Sequence, residues 1–149
     1  MFMKEVVYSD KQGVFEIKIS MHSSRKDVEY FLQELRGILS DPGFSIEEDL
    51  TLIVKRKPGH EQFSTPYTMM DLDYDEYDVV ERLKELTYRD YSETLHDDSG
   101  VLPPLLFVFG KDINKRQVYI KLKIKDVSRK KVLCLSFHYA ENKMNFPYR

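Results

Sequence analysis

The sequence predicts a single α+β domain over residues 1–149, with helices packed on one face of an antiparallel sheet that ends in a three-stranded meander. Three observations predict this class. A chain of 149 residues with 42% hydrophobic content has the usual size of one domain and can bury a substantial core. Apolar residues recur at helical spacing in the first part of the chain, and they alternate with polar residues over the last third.

The N-terminal segment predicts a β-hairpin. Residues 4–8 and 14–19 alternate apolar and polar side chains, and residues 9–13 between them have the composition of a turn. We therefore expect residues 1–22 to form a hairpin extension and residues 23–149 to form the α+β core.

A helix is predicted next. Ser23 or Ser24 can cap it, with Asp27 completing the capping box. Its buried stripe comprises Val28, Phe31, Leu32, Leu35, Ile38 and Leu39. Asp41-Pro42-Gly43 is expected to end the helix, and residues 50–54 are a candidate strand.

The middle of the chain predicts a second, shorter helix between irregular segments. Residues 58–70 have no clear period, and Asp73 with Glu76 forms a helix-start signature. The apolar stripe of this helix comprises Tyr77, Val80, Leu83 and Leu86. Residues 88–104, which are acidic and contain glycine and proline, are expected to be a loop.

The last third predicts three strands at residues 105–110, 117–125 and 131–139, joined by polar turns. Alternate side chains of a strand point to opposite faces of its sheet. The middle strand therefore has an apolar face and a polar face, the latter with Gln117, Tyr119, Lys121, Lys123 and Lys125. In simple register, Ser136 and His138 of the last strand share that polar face.

Charge is distributed unevenly along the chain. Residues 1–59 carry a net charge of −1, residues 60–100 carry −9, and residues 110–149 carry +8. If the fold separates the acidic middle from the basic end, a cationic patch able to attract polyanions remains. If the fold places them together, they neutralise each other, and the sequence leaves both arrangements open.

Several classes of protein and site are disfavoured. The lone Cys134, within an apolar run, predicts a buried thiol, and the longest apolar stretch, 101–109, is too short to span a bilayer. Because the N-terminus has no signal-peptide pattern, we expect a cytoplasmic protein that does not associate with membranes. His96-Asp97-Asp98 is better explained as a solvated turn than as a metal site, and no phosphate-binding loop or paired Cys-x-x-Cys occurs. We expect no metal and no cofactor.

Several motifs in the second half resemble those of bacterial and phage proteins related to the MqsR family, the toxins of toxin–antitoxin pairs. The resemblance covers roughly residues 75–149 and, more weakly, the helix at 25–39. Its motifs are Asp90-Tyr91-Ser92-Glu93, the segments 107–111, 118–122 and 134–141, and the ending Phe146-Pro147-Tyr148.

The resemblance implies a RelE-like fold and a metal-independent endoribonuclease that a partner antitoxin neutralises. Tyr119 stands where the family carries a functional tyrosine in its central strand. The family's lysine in the last strand is replaced here by His138, and its lysine after the Asp-aromatic motif is replaced by Glu93. Histidine is suited to proton transfer near neutral pH, whereas a carboxylate is a poor replacement for a phosphate-binding cation.

The candidate catalytic residues are therefore His138, Tyr119 and Glu141, and the candidate RNA-binding residues are Lys111, Arg116, Lys121 and Lys123. The expected partners are RNA and an antitoxin protein. An alternative is a non-catalytic interaction or inhibitor protein, such as a phage could encode, that uses the basic sheet face. A further alternative gives that role to the acidic segment 71–98, as a mimic of a nucleic-acid backbone.

Overall fold

A computed structural model describes residues 3–9, 15–55, 57–97, 105–126 and 128–149, and it confirms the α+β class. The strands are β1 (Met3–Ser9), β2 (Phe15–Met21), β3 (Leu50–Leu52), β4 (Tyr91–Asp97), β5 (Leu106–Ile113), β6 (Arg116–Asp126) and β7 (Lys130–Tyr139). The helices are α1 (Arg25–Leu39), α2 (Ile46–Asp49), α3 (Thr65–Leu72) and α4 (Glu76–Lys84), with short 3-10 helices at Glu61–Phe63 and Tyr88–Asp90. None of the helices in these ranges is long and apolar enough to cross a membrane.

The strands form one sheet in the order β1-β2-β4-β5-β6-β7-β3. All neighbours are antiparallel except β3 and β7, which run parallel. The predicted meander is β5-β6-β7, and the predicted hairpin strands are β1 and β2. The hairpin turn lies outside the described residues. Because β2 pairs with β4, the hairpin extends the main sheet and is not a separate appendage.

Helix α1 forms where its pattern predicts and holds the core together. Ser24 caps it by accepting a hydrogen bond from the Asp27 N–H, and Phe31 stacks on Phe107 of β5 with ring centroids 4.1 Å apart. Its fully buried leucines, Leu32 and Leu35, each contribute roughly 2 kcal/mol through burial. The main core lies between the helices and one face of the sheet, which we call the helix face.

Two elements occupy segments that the sequence pattern assigned to irregular structure. Most of helix α3 lies within the segment 58–70 expected to be irregular, so that prediction was wrong for residues 65–70. The start of α3 is marked by the cap residue Ser64 and by Pro66 in the first turn. Strand β4 lies within the expected loop 88–104, so that prediction was wrong for residues 91–97.

The start of α4 lies two residues later than predicted. Asp75 is its N-cap and forms a capping box with Asp78, whereas Asp73 ends α3 in the left-handed conformation at φ 57°. Aspartate tolerates this conformation better than most residues because its short side chain can bond locally. The predicted Asp73–Glu76 cap was therefore wrong, although the helix itself is present.

Helix α3 also protects an edge of β7. Beyond the short strand β3, the backbone N–H groups of Phe137 and Tyr139 point outward from the sheet. They donate to the hydroxyl oxygens of Thr65 and Thr68 at 3.1 and 3.0 Å. These bonds satisfy donors that an uncovered edge strand would expose to another chain.

Candidate active site on the face opposite the helices

A cleft of about 510 Å³ lies on the sheet face opposite the helices. Cross-strand register builds it from two adjacent rows of residues. One row runs from β4 to β7 through Glu93, Val108, Lys121 and Ser136. The other row comprises Gly110, Tyr119 and His138, and we call the whole depression the cleft.

The C-terminal segment, residues 140–149, forms one wall of the cleft. Phe146 and Met144 lie against Gly110, so closely that a Cβ there would be 2.7 Å from the Phe146 ring. The Tyr148 hydroxyl donates to the Ser23 carbonyl at 2.5 Å, and its ring stacks on Tyr91. The end of the chain is therefore attached to the body of the fold.

Tyr119 and His138 form a stacked pair at the centre of the cleft. Their rings are nearly parallel, at 14°, with centroids 5.2 Å apart. Since His138 Nδ1 lies 3.0 Å from the Tyr139 carbonyl oxygen, which can only accept, Nδ1 carries the hydrogen and Nε2 carries the lone pair. The backbone thus fixes which nitrogen is available for chemistry.

Lys57 supplies a cation that sequence reasoning missed. Its Nζ lies 3.2 Å from His138 Nε2, so the ammonium donates to the imidazole lone pair. The parallel pairing of β3 with β7 explains the contact. Leu52 lies beside Cys134, and the chain then runs in the same direction as β7, bringing Lys57 to His138.

Electrostatics keep this imidazole neutral. The pKa of His138 is lowered to about 4, mainly by burial and also by the charges of Lys57 and Lys121, against the opposing effects of the hydrogen bond to the Tyr139 carbonyl and the charge of Glu141. Burial also lowers the pKa of Lys57, while the charge of Glu141 opposes that shift. At neutral pH the cleft therefore contains a neutral imidazole in contact with an ammonium group whose proton is easier to remove than usual.

Glu141 acts on the cleft through the loop that carries Lys57. Its Oε1 lies 2.9 Å from Nδ1 of His60, and this contact links the C-terminal segment to the loop after β3. Gly59, at φ 82°, provides the left-handed turn between Lys57 and His60. The structure thus places the third predicted catalytic residue at the rim of the cleft, where it helps to hold Lys57.

The four predicted RNA-binding residues divide between the two faces of the sheet. Lys121 lines the cleft, and Lys123 follows it on the same face of β6. Lys111 and Arg116 belong to the helix face. Lys111 pairs with Glu85 at 3.3 Å, and the Arg116 guanidinium lies 3.5 Å above the Tyr139 ring. The expected single patch of these four cations is therefore not formed, because the two-residue period separates them.

Several acidic residues in the described part of the segment 71–98 have local structural roles. Asp71 accepts a hydrogen bond from the Tyr139 hydroxyl at 2.5 Å, and Asp75 with Asp78 caps α4. Among the described residues no group of three or more potential ligands could hold a metal ion. Cys134 is fully buried, and burial raises the pKa of its thiol to about 12, which makes it unreactive.

Comparisons of the chain with protein-family models, with curated proteins and with solved structures found no match. The resemblance to the MqsR family remains a prediction based on sequence motifs. Function has to be inferred from the chemistry of the cleft.

Proposed function

We propose that this protein is a metal-independent endoribonuclease of the toxin type, acting on single-stranded RNA in the cytoplasm and neutralised by an antitoxin protein. One observation carries the proposal: a neutral imidazole, held by Tyr119 and the backbone, shares its lone pair with the ammonium of Lys57 in a cleft that also contains Lys121. RNA cleavage by the neighbouring 2′-hydroxyl needs a base, an acid and a cation near the phosphate. In this arrangement His138 is the base, Lys57 is the acid, and Lys121 is the cation near the phosphate.

The proposed reaction uses Nε2 of His138 and Nζ of Lys57. A bound phosphate attracts the Lys57 ammonium and frees Nε2 of His138, which then accepts the proton of the 2′-hydroxyl. The 2′-oxygen forms a bond to phosphorus, the bond from phosphorus to the 5′-oxygen breaks, and Lys57 donates its proton to that leaving oxygen. The His138 imidazolium then returns a proton to Lys57 across the 3.2 Å contact. The products are a 2′,3′-cyclic phosphate and a free 5′-hydroxyl.

The test is cleavage of single-stranded RNA by the purified protein, in EDTA, with analysis of the product ends. We expect cyclic phosphate ends and a rate lowered at least a hundredfold by His138→Ala and by Lys57→Met, because each removes one partner of the proton transfer. Lys55→Met is the matched control, since Lys55 is an exposed lysine of the same loop. Full activity of Lys57→Met, or an equal loss in the control, would exclude this mechanism.

A second candidate is nucleic-acid binding without cleavage. Two observations favour it. Only 8% of the His138 surface is exposed, and the carboxylate of Glu93 stands where the resembling family has a lysine. Tight RNA binding by a folded wild-type protein that cleaves no RNA across a wide pH range would establish this reading.

A further inference from the structure

The cleft has two chemically different ends. Lys57, Lys121 and His138 lie at the cationic end, and Glu93 lies on β4, two strands away from Lys121 along the same row. Strands are about 4.8 Å apart, so the Cα atoms of Glu93 and Lys121 are roughly 10 Å apart. This distance is comparable to the span of one nucleotide from its phosphate to the edge of its base. A carboxylate at that distance does not assist phosphate binding and needs another explanation.

Glu93 is held in place by a neutral group. The buried Ser20 hydroxyl donates to Glu93 Oε2 at 2.9 Å, across the sheet from β2. A carboxylate can accept about four hydrogen bonds, and this hydroxyl supplies one. Glu93 therefore presents two acceptor oxygens, half-buried, on the wall of the cleft, and Ser20 holds Oε2.

Two adjacent acceptors discriminate among the four bases. Guanine presents two neighbouring donors, N1–H and N2–H, on its Watson–Crick edge, and a carboxylate can bond both. Adenine, cytosine and uracil each place an acceptor beside their donor, and that acceptor faces a carboxylate oxygen unfavourably. Single-stranded RNA exposes this edge, whereas a duplex hides it.

We infer that Glu93 is a specificity-determining residue that binds the Watson–Crick edge of a guanine adjacent to the scissile phosphate. This inference rests on the proposed function, because the guanine position is defined by the phosphate at Lys57 and Lys121. The inference predicts the effect of one substitution on base preference. Glu93→Gln replaces one acceptor by a donor, and an amide can pair with a neighbouring donor and acceptor, which all four bases present. The substitution should therefore abolish the preference for guanine.

The experiment measures binding of four tetranucleotides, d(TTXT) with X as dG, dA, dC or dT, by fluorescence anisotropy at low salt. Their 2′-deoxy sugars lack the nucleophile, so binding is observed without cleavage. We expect the wild-type protein to bind the dG form about tenfold tighter than the others, and Glu93→Gln to bind the four forms with affinities within about twofold of one another. Glu76→Gln, an exposed change on α4, should leave the wild-type preference unchanged.

The outcomes separate this inference from the proposed nuclease. RNA cleavage with equal affinity for all four tetranucleotides, or a guanine preference that survives Glu93→Gln, overturns the role of Glu93 and leaves the nuclease intact. A dG preference that Glu93→Gln changes, in a protein that cleaves no RNA, supports the role of Glu93 and overturns the nuclease. Absence of binding to every tetranucleotide by a protein that cleaves RNA overturns the role of Glu93, and absence of both binding and cleavage overturns both proposals.

Discussion

At the scale of single residues, the protonation of His138 connects structure to function. Its ring is buried between Tyr119 and the Lys57 loop, and burial in a low-dielectric environment disfavours the charged form. A neutral base at pH 7 is the form that can accept a proton. A bound phosphate adds negative charge beside the ring, which favours the imidazolium that forms during the reaction.

The lowered pKa of His138 predicts loss of stability in acid. Between the ordinary histidine pKa of 6.5 and about 4, the unfolded chain binds a proton at this residue and the folded chain does not. The free energy of unfolding therefore decreases as the pH is lowered from 6.5 to about 4, by roughly 3 kcal/mol in total. Urea unfolding of the wild type and of His138→Gln from pH 4 to pH 7 measures the effect.

The variant should show a shallower fall, since its amide does not titrate and the remaining histidines are common to both proteins. Parallel stability curves for the two proteins across this window would mean that His138 titrates normally in the folded state.

The shared face of Tyr119 and His138 could be predicted from sequence, whereas Lys57 could not. Alternation along β6 and β7 is a local pattern, and antiparallel pairing of neighbouring strands follows from their short connection. The contact of Lys57 with His138 depends on β3, a strand of three residues that pairs with β7 about 80 residues away. Such a short, distant pairing leaves no period in the sequence.

At the scale of elements, the C-terminal segment shapes the cleft by packing on Gly110. The glycine has no side chain, and the Phe146 ring occupies the space that a Cβ would fill.

The sequence pattern did not predict helix α3 in the middle of the chain. The start of α3 has a serine cap and an early proline, but its eight residues bury mainly Thr65 and Thr68, so no apolar period is visible.

Gly110→Ala should destabilise the protein by about 1 to 3 kcal/mol, because the added methyl group requires Phe146 and Met144 to move. Gly37→Ala is the matched control. A Cβ at Gly37, within α1, meets nothing within 4 Å, and alanine is a better helix former, so this change should be neutral or stabilising. Urea denaturation measures both.

The cost of Gly110→Ala should also be partly relieved in a double variant with Phe146→Ala, because the two side chains compete for one space. Strictly additive costs would show that the C-terminal segment does not pack on Gly110.

At the scale of the whole molecule, the fold gives the two faces of the sheet different electrostatic roles. On the helix face, cations of the basic C-terminal third pair with carboxylates of other segments, as Lys111 does with Glu85 and Lys130 with Glu34. On the opposite face, Lys121 and Lys123 lie in or beside the cleft with Lys57. The segment charges of −9 and +8 thus partly neutralise each other, and a smaller cationic surface remains where the cleft lies.

This division predicts that the salt dependence of RNA binding belongs to one face only. Each phosphate neutralised on a single strand contributes about 0.7 to the slope of log affinity against log salt concentration, through release of counterions. Lys121→Gln with Lys123→Gln should weaken binding of a single-stranded RNA and reduce that slope by about 1.4. Lys111→Gln with Arg116→Gln removes the same charge from the helix face and should leave the slope unchanged.

Anisotropy titrations between 50 and 200 mM salt, with circular dichroism to verify folding, compare the two variants. Equal slopes for both would show that RNA does not approach through the cleft face, and a larger loss in the Lys111 and Arg116 variant would place the binding surface on the helix face.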